Sequence, residues 1–300
     1  MTPARPTTST DPASMRIGST TFVWGQRTYV MGILNVTPDS FSGDGLLADT
    51  DPAALAVAVA RRMVAEGADI LDIGGESTRP GHAPVDEAEE IARVVPVIAA
   101  VAAAVPGVPI SVDTTKPAVA EAALVAGAHL LNDVWATGPG GREMAAVAAA
   151  AGVPLIVMHN RAKAHYDRSV VTEVVADLSD ALDRAIAAGV PETSLIVDPG
   201  IGFGKTPDQN IQVLRHLGSL SRLGRPVLLG TSRKSTLGRI LDLPVEERLE
   251  ATLATTALGI AAGIDIVRVH DVLPNVRAAR VSDAIVRGHW RADASEGDRP

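Results

Sequence analysis

Residues 106–134 read PGVPISVDTTKPAVAEAALVAGAHLLNDV, and this stretch decides the fold. The apolar runs Pro109–Asp113 and His129–Val134 are short and rich in Val, Ile and Leu, which is typical of strands buried on both faces. Between them, residues 117–126 form an Ala-rich helical pattern followed by Gly127, as expected where a helix ends in left-handed backbone. The stretch therefore predicts two parallel strands joined by a helix.

The same unit recurs along the whole chain. Further strands are predicted at Tyr29–Val36, Asp69–Gly74, Pro154–His159, Ser194–Asp198, Pro226–Thr231 and Asp265–His270. A helical pattern follows each of the eight strands, at residues 51–66, 85–104, 117–126, 141–151, 170–188, 208–222, 246–262 and 274–287. This strict alternation favours a closed (β/α)8 TIM barrel.

A doubly wound open sheet is the main alternative fold. Such sheets usually carry a glycine fingerprint for phosphate after the first strand, whereas here LNVTPDSFSGDG (34–45) stands at that place. Segment 16–30 alternates weakly in polarity and predicts a short hairpin that plugs the barrel floor. We expect one domain over residues 16–290, with disordered ends at residues 1–15 and 291–300.

Bulk composition narrows the class of protein. The chain has 300 residues, of which 46% are hydrophobic, enough for one large core. Its net charge of −8 argues against nucleic-acid partners and against a basic membrane-binding patch. It has no Cys, no apolar run long enough to span a membrane, and no apolar core of a signal peptide near its start. These features fit a cytoplasmic protein.

Polar side chains stand at the end of each predicted strand. Catalytic groups of such barrels lie at the carboxyl ends of the strands. A single Asp there can simply cap the next helix, but eight polar ends favour a polar ligand pocket. The residues are Asn35, Glu76, Asp113, Asn132, Asp133, His159, Asn160, Asp198, Ser232, Arg233, Lys234, Arg268, His270 and Asp271.

Two features refine the chemistry of this pocket. In GTSRKS (230–235), two cations precede a helical pattern and so oppose the helix dipole, which indicates either a solvated turn or a bound anion. Asp113 and Asp198, with Asn132 between them in barrel order, suit a heterocycle that presents several N–H donors. An acid–base pair and a divalent metal, magnesium rather than zinc, remain alternatives.

Two long loops at the same end of the barrel are predicted to be lids. They run from Thr37 to Thr50 and from Gly75 to Pro84, which is long for connections in this type of fold. Closure of such loops would exclude water from the pocket. Phe41 lies in the first loop, where an aromatic ring could cover an aromatic ligand.

Eight stretches, taken together and in this order, resemble dihydropteroate synthase. They span nearly the whole folded region, and the ordered set is highly specific. The resemblance implies the barrel and the condensation of 7,8-dihydropterin-6-ylmethyl diphosphate with p-aminobenzoate, with release of diphosphate. It also implies a homodimer. The stretches are MGILNVTPDSFS (31–42), DIGGESTRPG (72–81), SVDTTKPAVAEAAL (111–124), LNDVWA (131–136), VMHNR (157–161), DPGIGFGKT (198–206), GTSRKS (230–235) and RVHDV (268–272).

The resemblance also implies residue roles. Asp113, Asn132, Asp198, Lys234 and Met158 would bind the pterin, and Asp113, Asp198 and Lys234 among them would act in catalysis. Residues implied for diphosphate are Asn35, Thr78, Arg79, Arg268 and His270, with Mg²⁺ at Asn35. Those implied for p-aminobenzoate are Phe41, Thr78, Pro80, Phe203 and Ser235.

Two positions depart from the family pattern. The first loop reads SFSGDG where SFSDGG is common, and Thr236 stands where an aromatic residue is frequent. Both departures leave the affinity for p-aminobenzoate and for sulfonamide-type mimics open.

Two other protein classes compete with this assignment. Methyltetrahydrofolate methyltransferases that serve a corrinoid share the Asp/Asn pterin site, but they need neither the SRK cations nor the TPDSFS loop. A non-catalytic paralogue would be favoured by loss of a pterin-binding or cationic residue, and none is lost.

Overall fold

The main sheet of the protein is a closed ring of eight parallel strands. The computed structural model describes residues 13–36, 51–76 and 85–288. An antiparallel hairpin of β1 (Ser14–Ile17) and β2 (Thr20–Val23) precedes the ring. The ring strands are β3 (Tyr29–Asn35), β4 (Ile70–Gly74), β5 (Ile110–Asp113), β6 (Leu130–Asp133), β7 (Leu155–Met158), β8 (Leu195–Asp198), β9 (Leu228–Leu229) and β10 (Ile266–Val269).

The strand order closes the barrel. Strands β3 to β8 pair in sequence, β10 pairs with β3 and with β9, and a parallel bridge between Val197 and Val227 joins β8 to the strand containing β9. The predicted (β/α)8 barrel is therefore confirmed. The hairpin is present as well and begins at Ser14, two residues before the predicted start of the folded part. Residues 1–12 and 289–300, and with them the predicted tail at 291–300, lie outside the described residues.

Helices separate successive strands and cover the outside of the ring. The single helix predicted at residues 208–222 is two elements in the structure. The α-helix ends at Arg215, and the chain continues as a 3-10 helix over Leu217–Leu223. A separate short helix follows Lys234. The helices are α1 (Pro52–Ala65), α2 (Glu87–Ala104), α3 (Pro117–Ala126), α4 (Gly141–Ala151), α5 (Val170–Ala187), α6 (Pro207–Arg215), α7 (Ser235–Leu241), α8 (Leu249–Ala261) and α9 (Val272–Arg287).

Strand register separates two apolar cores. Since side chains alternate along a strand and paired residues of parallel strands face the same side, each strand sends one set inward and the other outward. The outward set, which includes Leu71, Val112 and Val197, packs under the helices. The inward set fills the barrel floor and contacts the hairpin; it comprises Met15, Ile17, Phe22, Trp24, Tyr29, Met31, Ile70, Leu130, Ile156, Ile196, Leu228 and Ile266.

The hairpin closes the amino-terminal end of the barrel, as predicted. Phe22 is completely buried and lies against Tyr29 with ring centroids 4.7 Å apart, and the Tyr29 hydroxyl accepts a hydrogen bond from Val23 N–H at 2.8 Å. Because apolar side chains occupy this end, the inward polar residues can line a pocket only at the carboxyl ends of the strands.

Candidate active site

The inward face of the ring changes from apolar to polar towards the carboxyl ends of the strands. Parallel pairing sets Asp113 beside Asn132 and Met158 beside Asp198. Both acids and Asn132 are buried. Gly230 lies at the same place, because a Cβ added to it would contact Asp198 Oδ2 at 3.6 Å. The structure thus brings together the predicted pterin-binding residues.

Arg268 connects these residues through a buried ionic cluster. Its Nη2 donates to Asp113 Oδ2 at 2.6 Å, and its Nε donates to Asp72 Oδ2 at 2.5 Å. The same Asp72 oxygen accepts a hydrogen bond from Asn132 Nδ2 at 3.1 Å. The sequence analysis missed Asp72. The available signal was a carboxylate in the middle of the apolar run ILDIG, a position where a charge is buried only with a partner.

Burial raises the pKa of both Asp113 and Asp198. Desolvation raises the pKa of Asp113 to about 7, although the Arg268 guanidinium opposes the shift. Desolvation likewise raises the pKa of Asp198 to about 6, against the Gly200 N–H, which donates to Asp198 Oδ1 at 2.7 Å, and against Lys234. The nearby cations thus offset part of the desolvation that disfavours the ionised form of each carboxylate.

Lys234 joins the predicted pterin site to the predicted p-aminobenzoate site. Its ammonium lies 4.1 Å from the centroid of the Phe203 ring, a cation–π geometry. Its positive charge also acts on Asp113 and Asp198, where it opposes the rise in pKa that burial causes. Ser235, the first residue of α7, is exposed at the same corner.

The Thr236 departure has a structural role here. Thr236 is buried, and its hydroxyl accepts a hydrogen bond from Asn210 Nδ2 at 3.1 Å. Asn210 Oδ1 in turn accepts from Gly202 N–H at 2.8 Å. A hydroxyl at position 236 therefore supports the turn that carries Phe203, which is predicted to contact p-aminobenzoate.

His270 lies at the end of β10 and is oriented by Ser232. The Ser232 hydroxyl oxygen accepts from His270 N–H at 3.1 Å and lies 2.9 Å from His270 Nδ1. If the hydroxyl donates to Nδ1, the neutral imidazole carries its proton at Nε2, where it can donate to an anion. Asn35, at the end of β3, lies in register with Gly74, which pairs with Asp113.

Several polar strand ends serve the fold instead of the pocket. Asp133 faces outward, and its carboxylate accepts from Trp135 N–H at 2.9 Å. Asn160 donates to Val134 C=O at 3.1 Å. The guanidinium of Arg233 pairs with both oxygens of Asp271, at 3.0 and 2.6 Å, so the two cations of GTSRKS diverge. Only Lys234 of this pair is directed to the pterin residues.

The stem of the second predicted lid is anchored by charged side chains. Arg93 donates to Gly75 C=O at 2.9 Å, and Lys116 bridges Glu76 to the buried Glu90. The loops themselves are not described beyond these stems. Residues 37–50 and 77–84 lie outside the described residues, and so the assignments of Phe41, Thr78, Arg79 and Pro80 stay predictions.

A second buried network, which the sequence analysis also missed, supports the Phe203 turn. Lys205 donates to the carbonyls of Gly200 and Phe203 at 2.9 and 3.0 Å, and its Nζ lies 2.8 Å from His159 Nδ1. His159 Nε2 lies 3.1 Å from Asp177. Burial lowers the pKa of Lys205 to about 7 and that of His159 to about 4. His159 is thus a neutral support and not a ligand-binding residue.

Lys205→Met should destabilise the protein, more so at alkaline pH. The substitution leaves three buried acceptors without a donor, and we expect a loss of about 1–3 kcal/mol in the free energy of unfolding. In the folded protein the Lys205 pKa is below its ordinary value of 10.5, so the wild type gains stability as pH rises from about 7 towards that value. The methionine variant lacks this gain. Urea unfolding at about pH 7 and about pH 9.5 measures both effects.

Lys163→Met is the matched control, because Lys163 is exposed. It should change neither the stability nor its pH dependence. A Lys205→Met deficit that shrinks at alkaline pH would contradict the lowered pKa of the buried lysine.

The other end of the barrel holds a cleft of about 780 Å³. It is lined by the segment that joins the hairpin to β3, by Gly67–Asp69 and by α9. Most of its charged side chains form ion pairs: Arg27 contacts Asp69, and Asp283 contacts Arg287. In barrels of this type, function lies at the carboxyl ends of the strands and the opposite end serves stability. The inward acids and cations therefore mark the active site.

Comparison with known proteins agrees with this geometry. A family model described as pterin binding enzyme matches residues 31–270. A dihydropteroate synthase from Clostridium beijerinckii is 51% identical over 274 residues, covering 91% of this chain and 100% of that protein. The Bacillus subtilis dihydropteroate synthase is 50% identical over 261 residues, covering 87% and 90%.

Solved structures show the same similarity. Dihydropteroate synthase from Clostridium difficile, crystallised in the presence of pteroic acid, aligns with a TM-score of 0.84 at 48% identity, covering 89% of this chain and 99% of that one. The Xanthomonas albilineans enzyme with 4-aminobenzoic acid gives a TM-score of 0.84 at 42% identity, covering 91% and 98%. The fold and the site define a pterin-binding barrel enzyme. The chain belongs to the dihydropteroate synthase family of these enzymes, and it is a transferase.

Proposed function

We propose that the chain condenses 7,8-dihydropterin-6-ylmethyl diphosphate with p-aminobenzoate to give 7,8-dihydropteroate and diphosphate. The observation that carries this function is the convergence of Asp113, Asn132 and Asp198 with Arg268 and Lys234 at one end of the barrel. A relative from Xanthomonas albilineans, 42% identical with a TM-score of 0.78, has been solved in complex with 7,8-dihydropteroate.

The inward acceptors suit the edge of a pterin. Such an edge presents several N–H donors, which carboxylate and amide oxygens accept. Asp113 Oδ1 is buried and, within the part of the chain that the structure describes, has no hydrogen-bond partner. A ligand donor there would satisfy an oxygen that otherwise costs stability. Asp113, Asn132 and Asp198 thus bind the pterin edge, and Met158 packs beside them.

Cations at the barrel mouth assist departure of the diphosphate. The bond between the pterin methylene carbon and the diphosphate oxygen breaks, and the electron pair leaves with that oxygen. Arg268 neutralises part of the charge of the departing anion, and His270 can donate a hydrogen bond to it. Positive charge then develops on the pterin methylene, where the carboxylates of Asp113 and Asp198 stabilise it electrostatically.

The second half of the reaction needs little acid–base assistance. The neutral aromatic amine of p-aminobenzoate attacks the methylene, a carbon–nitrogen bond forms, and the amine proton passes to solvent. The Phe203 ring, held against Lys234, provides an apolar wall for the ring of the second substrate. Ser235 at the start of α7 supplies a hydroxyl at the same corner.

Magnesium is proposed as the cofactor, held by the diphosphate and by Asn35. Among the described residues, no group of three or more His, Cys, Asp or Glu side chains could hold a metal ion. A single protein oxygen ligand from Asn35, together with the substrate diphosphate, would suit a Mg²⁺ ion that keeps several of its waters. When bound, the ion supplies charge neutralisation to the leaving group.

A homodimer in the cytoplasm is the proposed assembly and location. Helices α8 and α9 pack together and present apolar side chains to solvent, with Leu258 at 69% and Ile285 at 78% exposure. Neighbouring exposed apolar groups of this kind mark interaction surfaces. Sedimentation equilibrium tests the assembly, for which we expect about twice the chain mass of 31.0 kDa. No helix in the described ranges is long and apolar enough to cross a membrane.

The proposed reaction is tested by diphosphate release from purified protein. We expect release with formation of 7,8-dihydropteroate when pterin diphosphate, Mg²⁺ and p-aminobenzoate are all supplied, and little release without p-aminobenzoate. Pterin binding without product would indicate the non-catalytic paralogue instead. Absence of pterin binding would overturn the function altogether.

A further inference from the structure

We propose that Asp72 is a positioning residue: its carboxylate fixes the orientation of the Asn132 amide and the place of the Arg268 guanidinium, so that Asn132 offers its amide oxygen to the pterin edge. This inference rests on the proposed function, because it concerns the same pterin site. It assigns a role to a buried acid that contacts two substrate-binding residues and stands one step deeper in the barrel.

The position of Asp72 follows from the strand register. Asp72 lies on β4 between Ile70, whose side chain belongs to the barrel floor, and Gly74, which pairs with Asp113. Its side chain is completely buried. A carboxylate at this depth lies below the pterin-binding residues, so it acts on the ligand only through the side chains that it holds.

The charge of Asp72 determines which atom of Asn132 faces it. A carboxylate beside a guanidinium only accepts hydrogen bonds, so the partner at 3.1 Å must be the Asn132 amide nitrogen. The amide oxygen is then turned away from Asp72 and is the atom that Asn132 offers to a ligand. Together with the Asp113 and Asp198 carboxylates, it makes three acceptors for the N–H donors of a pterin.

Arg268 is held by the same oxygen. Its Nε bonds Asp72, and its Nη2 bonds Asp113. Asp113 accepts from Arg268 at Oδ2 and leaves Oδ1 for the pterin. Asp72 lies below the ligand and holds the same guanidinium from that side, so that Arg268 stays beside the place proposed for the departing diphosphate. One carboxylate thereby couples the pterin half of the site to the diphosphate half.

The surroundings of Asp72 are not optimised for stability alone. Its Oδ1 is buried and finds no hydrogen-bond partner among the residues that the structure describes, and the same holds for Ser111 Oγ, in register with it on β5. Buried polar atoms without partners are costly and rare in folded proteins. The buried carboxylate therefore acts mainly through the Asn132 amide and the Arg268 guanidinium that it contacts.

The test is a reciprocal exchange, with Asp72→Asn, Asn132→Asp and the double variant. The probe is 6-hydroxymethyl-7,8-dihydropterin, which lacks the diphosphate, and calorimetry gives its Kd. In Asp72→Asn, the new amide oxygen accepts from Arg268 and its NH2 group faces Asn132, whose amide must turn. We expect the Kd to rise about tenfold to a hundredfold, the effect of one mispaired hydrogen bond in a buried site.

The double variant should recover most of this loss. It keeps the wild-type net charge, and the new amide NH2 group at position 72 donates to the new carboxylate at position 132, which again offers an acceptor to the pterin. We expect its Kd within about tenfold of the wild-type value and below that of either single variant. Ser111→Ala, a change at the same level of the barrel, is the control and should bind as the wild type does.

The outcomes separate this inference from the proposed function. If the wild-type protein does not bind the probe, the proposed function fails. If it binds, and Asp72→Asn binds equally well or the double variant binds no better than Asp72→Asn, the role of Asp72 is overturned. If Asp72→Asn fails to fold, the double variant decides alone, because it preserves the charge and both hydrogen bonds. A Kd within about tenfold of the wild-type value then supports the role of Asp72, and a higher Kd overturns it.

Discussion

Asp113→Asn should lower kcat by about a hundredfold to a thousandfold, the usual effect of removing one group that stabilises transition-state charge. The asparagine keeps the shape and a hydrogen-bond acceptor, so the KM for p-aminobenzoate should change little. What is lost is the negative charge beside the pterin methylene. Diphosphate release at saturating substrates measures the effect.

The pH profile provides an independent signature of Asp113. Its pKa is raised to about 7, and only the ionised form can stabilise a cation. The kcat/KM for the pterin diphosphate should therefore fall as pH is lowered through about 7, and the asparagine variant should lose this limb and keep only the fall near pH 6 that belongs to Asp198. Asp180→Asn, an exposed site on α5, is the control and should leave the profile unchanged. Near-normal turnover of Asp113→Asn would refute the electrostatic role.

Arg268→Met should destabilise the ligand-free protein by about 3–5 kcal/mol, the range observed when one partner of a buried ion pair is removed. Arg268 is the cation that both Asp72 and Asp113 contact at 2.5 and 2.6 Å, so its loss leaves two carboxylates facing each other in a buried site. The apolar side chain cannot neutralise diphosphate either. Urea unfolding measures the first effect, and the KM for the pterin diphosphate measures the second.

A second substitution shows whether the orphaned charges cause the loss. Adding Asp72→Asn to Arg268→Met removes one of the two carboxylates and should restore part of the stability. Arg61→Met, on an exposed position of α1, should have almost no effect. A stability loss that Asp72→Asn deepens, or an equal loss for Arg61→Met, would contradict the ionic account of this cluster.

The barrel could be predicted because its signals are local. Each strand is a short apolar run, each helix is Ala-rich, and glycines such as Gly127 and Gly152 end helices with left-handed backbone. The pocket followed from the same alternation, since strand ends meet at one mouth. Asn132 and Asp133 are adjacent strand-end residues, and the choice of Asn132 for the pocket agrees with the strand register, which sends Asn132 inward and Asp133 outward.

The parts that sequence reasoning missed depend on contacts between distant segments. Asp72 and Arg268 are 196 residues apart, and Lys205 meets His159 across 46 residues. Arg233 looked equivalent to Lys234 in GTSRKS, yet Asp271 holds it away from the pocket. Charged residues buried in pairs leave no periodic pattern, so only the folded arrangement reveals them.

The hairpin at the barrel floor has a kinetic consequence. Because β1 and β2 fill that end with Phe22 and its apolar neighbours, substrates reach the described part of the site from the carboxyl ends of the strands and not through the floor. Asp113, Asn132 and Asp198 lie on the strands, whereas Phe203 lies in the loop after β8 and Ser235 begins α7. We therefore expect the pterin substrate to enter first and the joined product to leave by the same route. A mimic of p-aminobenzoate that arrives early would then obstruct access to the deeper site.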